Sequence, residues 1–176
     1  MDEHRLGLKP VLRRVWTRRG ERPRAPVHHR HRWLYLYGFV HPASGRTLWY
    51  LMPVVSAATF AQVLAAFAAG PGAGPAEEIL LVLDGAGWHV AKGLAVPNHV
   101  HPAFLPPYSP ELQPAERLWP LANEAVANRC FDDLPALSRA LEPHCLALAR
   151  RPELIRGRVL FGWWPQAKPA EQISRI

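Results

Sequence analysis

The feature that most constrains this chain is an apolar run that ends in an acid, Leu80-Leu81-Val82-Leu83-Asp84. A second acid, Glu116, stands in Gln113-Pro114-Ala115-Glu116-Arg117-Leu118-Trp119, with 31 residues between the two. A continuous apolar run of strand length, residues 79 to 83, is the pattern of a parallel strand covered on both faces. The carboxyl end of such a strand is where open α/β sheets place their ligands. Pro114 suits the first position of a helix, which puts Glu116 in the first turn, from where it can fold back beside Asp84. Joined by a third acid, the pair would hold a divalent metal ion.

The candidate for the third acid is Asp2, in Met1-Asp2-Glu3-His4-Arg5-Leu6-Gly7-Leu8. The second block continues as Gly85-Ala86-Gly87-Trp88-His89, and the third is introduced by Leu105-Pro106-Pro107-Tyr108-Ser109-Pro110-Glu111-Leu112. An Asp-Glu pair followed by a Gly, an Asp-bearing strand with a nearby His, and Pro-Tyr-Ser-Pro leading into Pro-x-Glu occur in that order. Over residues 1 to 145 this pattern resembles the catalytic domain of DDE transposases, specifically the mariner-like bacterial family called insertion sequence 630.

The resemblance implies an α/β, RNase H-like fold, a mixed sheet with flanking helices. It implies that Asp2, Asp84 and Glu116 are both catalytic residues and metal ligands for two Mg²⁺ or Mn²⁺ ions. It implies DNA strand cleavage and strand transfer, with element ends and a target duplex as partners and a homodimer to hold two ends. In that fold the first catalytic Asp lies on the first, central strand. Only Met1 precedes Asp2, so the first strand is expected to be largely missing. The family's helix-turn-helix region is expected to be absent as well, with an upstream DNA-binding segment encoded separately. Residues 1-150 are expected to form the catalytic domain and 151-176 a tail without an assigned role. The alternative function is a non-catalytic DNA-binding remnant of a transposase.

Each acid also has a plainer reading. Glu116 complements the dipole of its helix or closes a capping box with Gln113; Asp84 before Gly85 is a turn acid; Asp2 is solvated at a terminus. Glu3 is expected to point away from Asp2 on an extended segment, and Glu111 precedes the helix, so both are left out of the site. His89 is either a possible accessory group at metal-bound water or DNA, or a structural histidine. Pro120 removes a hydrogen bond to the Glu116 carbonyl and disfavours helical geometry at Trp119, which predicts a kink or restart there.

Charge narrows the partner. The 176 residues carry 21 Lys and Arg against 14 Asp and Glu, a net +7, which favours a polyanion such as nucleic acid. Ten of those cations fall between Arg5 and Arg32, where Glu21 is the one acid. Residues 5 to 31, rich in Pro, Gly, Arg and His, predict an extended loop or ribbon. Arg13, Arg14, Arg18, Arg19, Arg22, Arg24, Arg30 and Arg32 are its candidate nucleic-acid contacts, with Trp16 as an aromatic anchor. A solvated charged loop with Trp16 tucked into the core fits the same residues.

Cys130 and Cys145 match no zinc spacing, no apolar run approaches the length of a membrane span, and no secretory signal opens the chain. A cytoplasmic, nucleoid-associated protein is expected. Elsewhere, residues 33 to 40 and 47 to 54 predict a β-hairpin, and Ser56 caps a helix over 57 to 69 stopped by Gly70-Pro71-Gly72. A short helix is expected over 90 to 96, a strand over 100 to 105, and two helices between 120 and 150 with a cap near Asp132-Asp133.

Overall fold

The computed structural model describes residues 1 to 27, 30 to 70 and 77 to 162. Pro71 and Gly72 of the expected helix stop, and the part of the tail that holds Trp163, Trp164 and Pro165, lie outside the described residues.

Strands β1 (Asp2–Gly7), β2 (Trp33–His41) and β3 (Arg46–Met52) form an antiparallel sheet in the order β1-β2-β3. The hairpin appears as expected, closed by Gly45, whose N–H donates to the His41 carbonyl at 2.8 Å with φ +73°. A Cβ on Gly45 would lie 1.9 Å from the Pro152 carbonyl oxygen, so this turn requires glycine both for its backbone and for what packs on it. Strands β4 (Ile79–Leu83) and β5 (Val100–Phe104) form a parallel pair. The amino group of Met1 donates to the Val82 carbonyl at 2.7 Å, which sets β1 beside β4.

The expectation of a largely missing first strand is corrected here, because β1 stands and pairs with β2 residue for residue from Asp2↔Gly38 to Gly7↔Trp33. Its sequence is too polar to read as a strand, yet each side chain has a specific seat. His4 stacks on Trp119 with ring centroids 5.0 Å apart, the Arg5 guanidinium sits 4.6 Å from the Trp33 ring centroid, and Leu6 is buried. These contacts supply what a run of apolar residues supplies elsewhere.

Side-chain alternation on β1 and β2 divides the core in two. Leu6, Leu34 and Leu36 face one cluster, which holds Leu118, Trp119, Leu141 and Ile155 from helices α2 (Trp119–Ala122), α3 (Leu134–Ala149) and α4 (Pro152–Val159) and from the turn before α2. Met1, Tyr37 and Phe39 face the other, with Phe60 and Leu64 of α1 (Ala57–Ala68) and Leu81 and Leu83 of β4. Fully burying one such side chain stabilises the fold by about 1.5–3 kcal/mol, so helices are held on both faces of the sheet. Within residues 151-176, α4 buries Ile155 and Val159 completely in the first cluster.

Ser56 caps α1, accepting from the Thr59 N–H at 3.1 Å, and Asp133 caps α3, accepting from the Ala136 N–H at 2.7 Å. Two local expectations are corrected. Leu80 is 71% exposed, so β4 is covered on one face and open on the other at that point. Residues 90 to 96 form turns, with Gly93 at φ +76°, a backbone that no helix continues through.

Candidate active site

Asp2 opens β1 and sends its side chain to the α2–α3 face. There its Oδ2 accepts from the Trp119 indole N–H at 2.9 Å, and its Oδ1 accepts from the Glu3 N–H at 2.8 Å. Gly38, directly across on β2, leaves room for this indole: a Cβ there would fall 2.9 Å from the Trp119 ring. Gly38→Ala is therefore expected to push the ring off Asp2 and to destabilise the fold by about 1–3 kcal/mol, the usual cost of overpacking. Urea denaturation, with the Asp2 carboxyl followed by NMR titration, reads both effects.

Glu116 lies in a 3₁₀ turn, Pro114–Leu118, which passes into α2 at Trp119 and then into a second 3₁₀ turn, Asn123–Ala125. The predicted interruption around Pro120 is thus present as a change of helix type. Gln113, 4% exposed, positions the whole element. Its Oε1 caps the turn from the Ala115 N–H at 3.5 Å, and its amide donates to the Met1 carbonyl at 2.9 Å. One buried side chain thereby ties the turn bearing Glu116 to the residue before Asp2. Sequence reading gave Gln113 a capping role and missed the second bond, which depends on a residue far away in the chain.

Asp84 follows the last residue of β4, and its side chain is 54% exposed. Its Oδ1 accepts from the Ala86 N–H at 3.1 Å, an Asx-type turn, and lies 2.7 Å from His89 Nδ1. Between β5 and Glu116, Tyr108 is fully exposed at φ +59°, and the Ser109 hydroxyl donates to the Pro107 carbonyl at 3.3 Å, shaping the loop that leads back to Glu116.

Glu116 feels the charge of both other acids. Burial pushes the Asp2 carboxyl above the usual carboxylate range, against the Trp119 and Glu3 N–H bonds that lower it. Glu116 is raised first by burial, then by the charge of Asp2 and a hydrogen bond with it, and further by the charge of Asp84. Carboxylates that repel one another in this way gain when a cation lies among them. Oxygen donors alone fit a hard ion such as Mg²⁺, which keeps several waters and needs few protein ligands. Among the described residues no three Asp, Glu, His or Cys side chains already converge on one point.

Glu3, left out of the site from sequence, is 5% exposed at its side chain and reaches the opposite face from Asp2. Its Oε1 lies 2.9 Å from His89 Nε2 and accepts from the Trp88 indole N–H at 3.3 Å. The expected direction was right; the destination was missed, because it requires knowing that His89 waits there.

The eight candidate arginines are exposed and lie outside this cluster, seven of them on the arm from 9 to 31 and Arg32 just before β2. The arm is pinned at its base. The Asn128 N–H donates to the Val11 carbonyl, the Arg13 N–H donates to Asn128 Oδ1, and Arg13 is ion-paired with Glu124. Arg30 donates to the Asp132 carbonyl at 2.8 Å. Trp16 is fully exposed, not tucked into the core.

A family model described as DDE superfamily endonuclease matches residues 1–138. The chain belongs to this superfamily. An uncharacterized protein of Sinorhizobium fredii, y4pE/y4sA, is 35% identical over 102 residues, covering 57% of this chain and 74% of that protein. Two solved structures share the RNase H-like fold. The Mos1 mariner paired end complex with Mn has a TM-score of 0.61 at 17% identity, covering 89% of this chain and 52% of that one. The Mos1 transposase paired-end complex with left transposon end has a TM-score of 0.56 at 18% identity, covering 89% and 53%. This DDE superfamily chain thus spans about half the length of the Mos1 chains it matches.

Proposed function

We propose that the chain is the catalytic domain of a transposase, residues 1-150 with α4 packed on them, which cuts and joins DNA strands with two divalent metal ions. The observation that carries this reading is the shared neighbourhood of Asp2, Asp84 and Glu116 at adjacent ends of β1, β4 and the turn before α2, in a chain of the DDE superfamily. The similar Mos1 structures, one with a transposon end and one with Mn, support DNA as partner and a divalent ion as cofactor.

Asp2 and Asp84 would hold one ion between them, and Glu116 would complete the second site. Bound there, Mg²⁺ or Mn²⁺ supplies activation of a water or 3′ hydroxyl and charge stabilisation for an in-line displacement at phosphorus. The P–O bond to the attacking oxygen forms as the bond to the leaving 3′ oxygen breaks. Trp119 holds the Asp2 carboxylate for this task, and Gln113 ties the turn that bears Glu116 to Met1. A homodimer holding two element ends, and an upstream DNA-binding segment encoded separately, belong to the same reading.

The test is nicking of a supercoiled plasmid by the purified chain with Mg²⁺, Mn²⁺ or EDTA. Metal-dependent nicking is expected; its absence with DNA binding intact would favour the non-catalytic remnant.

The arm supplies the electrostatic contact. Its root, at the end of the six-residue β1, lies about 17 Å from Asp2 at roughly 3.3 Å per residue, so it would grip duplex some distance from the scissile phosphate. Replacing Arg14, Arg18, Arg19 and Arg22 by Ala is expected to flatten the dependence of log Kd on log salt. Each lost phosphate contact lowers the slope by about 0.9. Fluorescence anisotropy between low and moderate salt measures it; an unchanged slope would remove the arm from the interface.

A further inference from the structure

Two consecutive acids on one strand face opposite ways, and the described structure gives each a different set of partners. Asp2 meets Trp119 and Glu116, while Glu3 is buried on the α1 face against His89. His89 is 3% exposed and bridges two carboxylates, with Nε2 2.9 Å from Glu3 Oε1 and Nδ1 2.7 Å from Asp84 Oδ1. Its ring lies against Phe60, centroids 4.5 Å apart, and the Trp88 indole N–H donates to Glu3 Oε1 at 3.3 Å with its nitrogen 3.0 Å from His89 Nε2. The imidazole therefore has little freedom to turn. Asp84 is the opposite case: it stands past the end of its strand with half its side chain in solvent, where the Ala86 N–H and His89 hold its carboxylate.

We propose that Glu3 and His89 are positioning residues for the metal site, an outer carboxylate and an imidazole that together aim the Asp84 carboxylate. The proposal rests on the metal-dependent reading above and deepens it. His89 donates its Nδ1–H to Asp84 Oδ1 and so leaves Oδ2 available to a cation. Glu3 accepts from Nε2–H and fixes the plane of the ring, which also ties β1 to the loop after β4. Outer partners of this kind contribute about 10–100-fold to metal affinity without touching the ion. The pairing also accounts for the burial of Glu3, since a buried carboxylate needs a hydrogen-bonded partner of opposite charge.

The experiment is calorimetric titration of Mn²⁺ into the full chain without DNA, for wild type, Asp84→Asn, His89→Gln, His89→Asn and Glu3→Gln, with thermal melts of each. An Asn amide reaches roughly where Nδ1 stands and keeps a donor for Asp84; a Gln amide reaches toward Glu3 and leaves Asp84 without one. Weakening of Mn²⁺ binding by about 10–100-fold in His89→Gln, with partial rescue in His89→Asn and a smaller loss in Glu3→Gln, is the expected order. Wild-type affinity in His89→Gln would overturn the proposal while leaving the metal site standing. Equal losses in both His89 variants that track lowered melting temperatures would also overturn it, in favour of a folding role. Wild type binding no more tightly than Asp84→Asn would sink the metal reading itself and this proposal with it.

Discussion

Asp84→Asn is expected to bind DNA as wild type does and to nick supercoiled plasmid in Mg²⁺ at least about a hundredfold more slowly, since losing a ligand should cost more than losing one of its outer partners. Glu116→Gln should behave alike. Both changes keep the side-chain volume and remove charge, so a loss of nicking without a loss of folding isolates the electrostatic role of the acid. Equal nicking by either variant would remove that residue from the site. The same acids give a stability signature. A carboxyl whose pKa is raised by folding favours the folded state while protonated. Asp2 and Glu116 are both raised, so without metal the fold loses stability as pH rises from the ordinary carboxylate range through their raised values. Mn²⁺ offsets that loss, and its effect on melting temperature should be larger at neutral pH than at acidic pH; the reverse order would contradict the shared acid neighbourhood.

The second large effect lies far from the acids. Ile155→Ala is expected to destabilise the fold by about 2–5 kcal/mol, the range for truncating a fully buried aliphatic side chain. Ile155 belongs to the segment the sequence suggested as a tail, but it packs in the same cluster as Leu118 and Trp119, next to the turn that carries Glu116. Chemical denaturation measures the cost. A loss below about 0.5 kcal/mol, within the range of surface changes, would mean that α4 is an appendage and that the domain ends near residue 150.

What could be read from the sequence was what depends on local pattern. The hairpin, the Ser56 and Asp133 caps, the β4 run ending in Asp84 and the break at Pro120 follow from alternation, capping chemistry and proline geometry. The first strand escaped because only Met1 precedes Asp2, and Asp2, Glu3, His4 and Arg5 look like an exposed end. Each is satisfied instead by a residue at least 28 positions away, among them Trp119, His89, Asn123 and Trp33. The candidate acids were found because family pattern supplied the third one. Their supports, Gln113 bonding Met1 and Glu3 bonding His89, were not, since a hydrogen bond across 86 residues leaves no periodic trace. The turn-rich 90 to 96 region misled in the other direction: its small and apolar residues suit a helix, but Gly93 at positive φ breaks it.

Asp2 and Asp84 ride on different sheets. Among the described residues the two sheets share no strand ladder; they meet at the Met1–Val82 hydrogen bond and, on the α1 side, through the Glu3–His89–Asp84 bridge. A cavity of about 820 Å³ bordered by Met1, Phe39, Phe67, Ile79 and Val82 runs along the same seam. A cation gripped by both aspartates would then be a rivet through two plates. Occupancy of the site and alignment of the plates become a single variable, and amide exchange along β4 should slow when the rivet is in place.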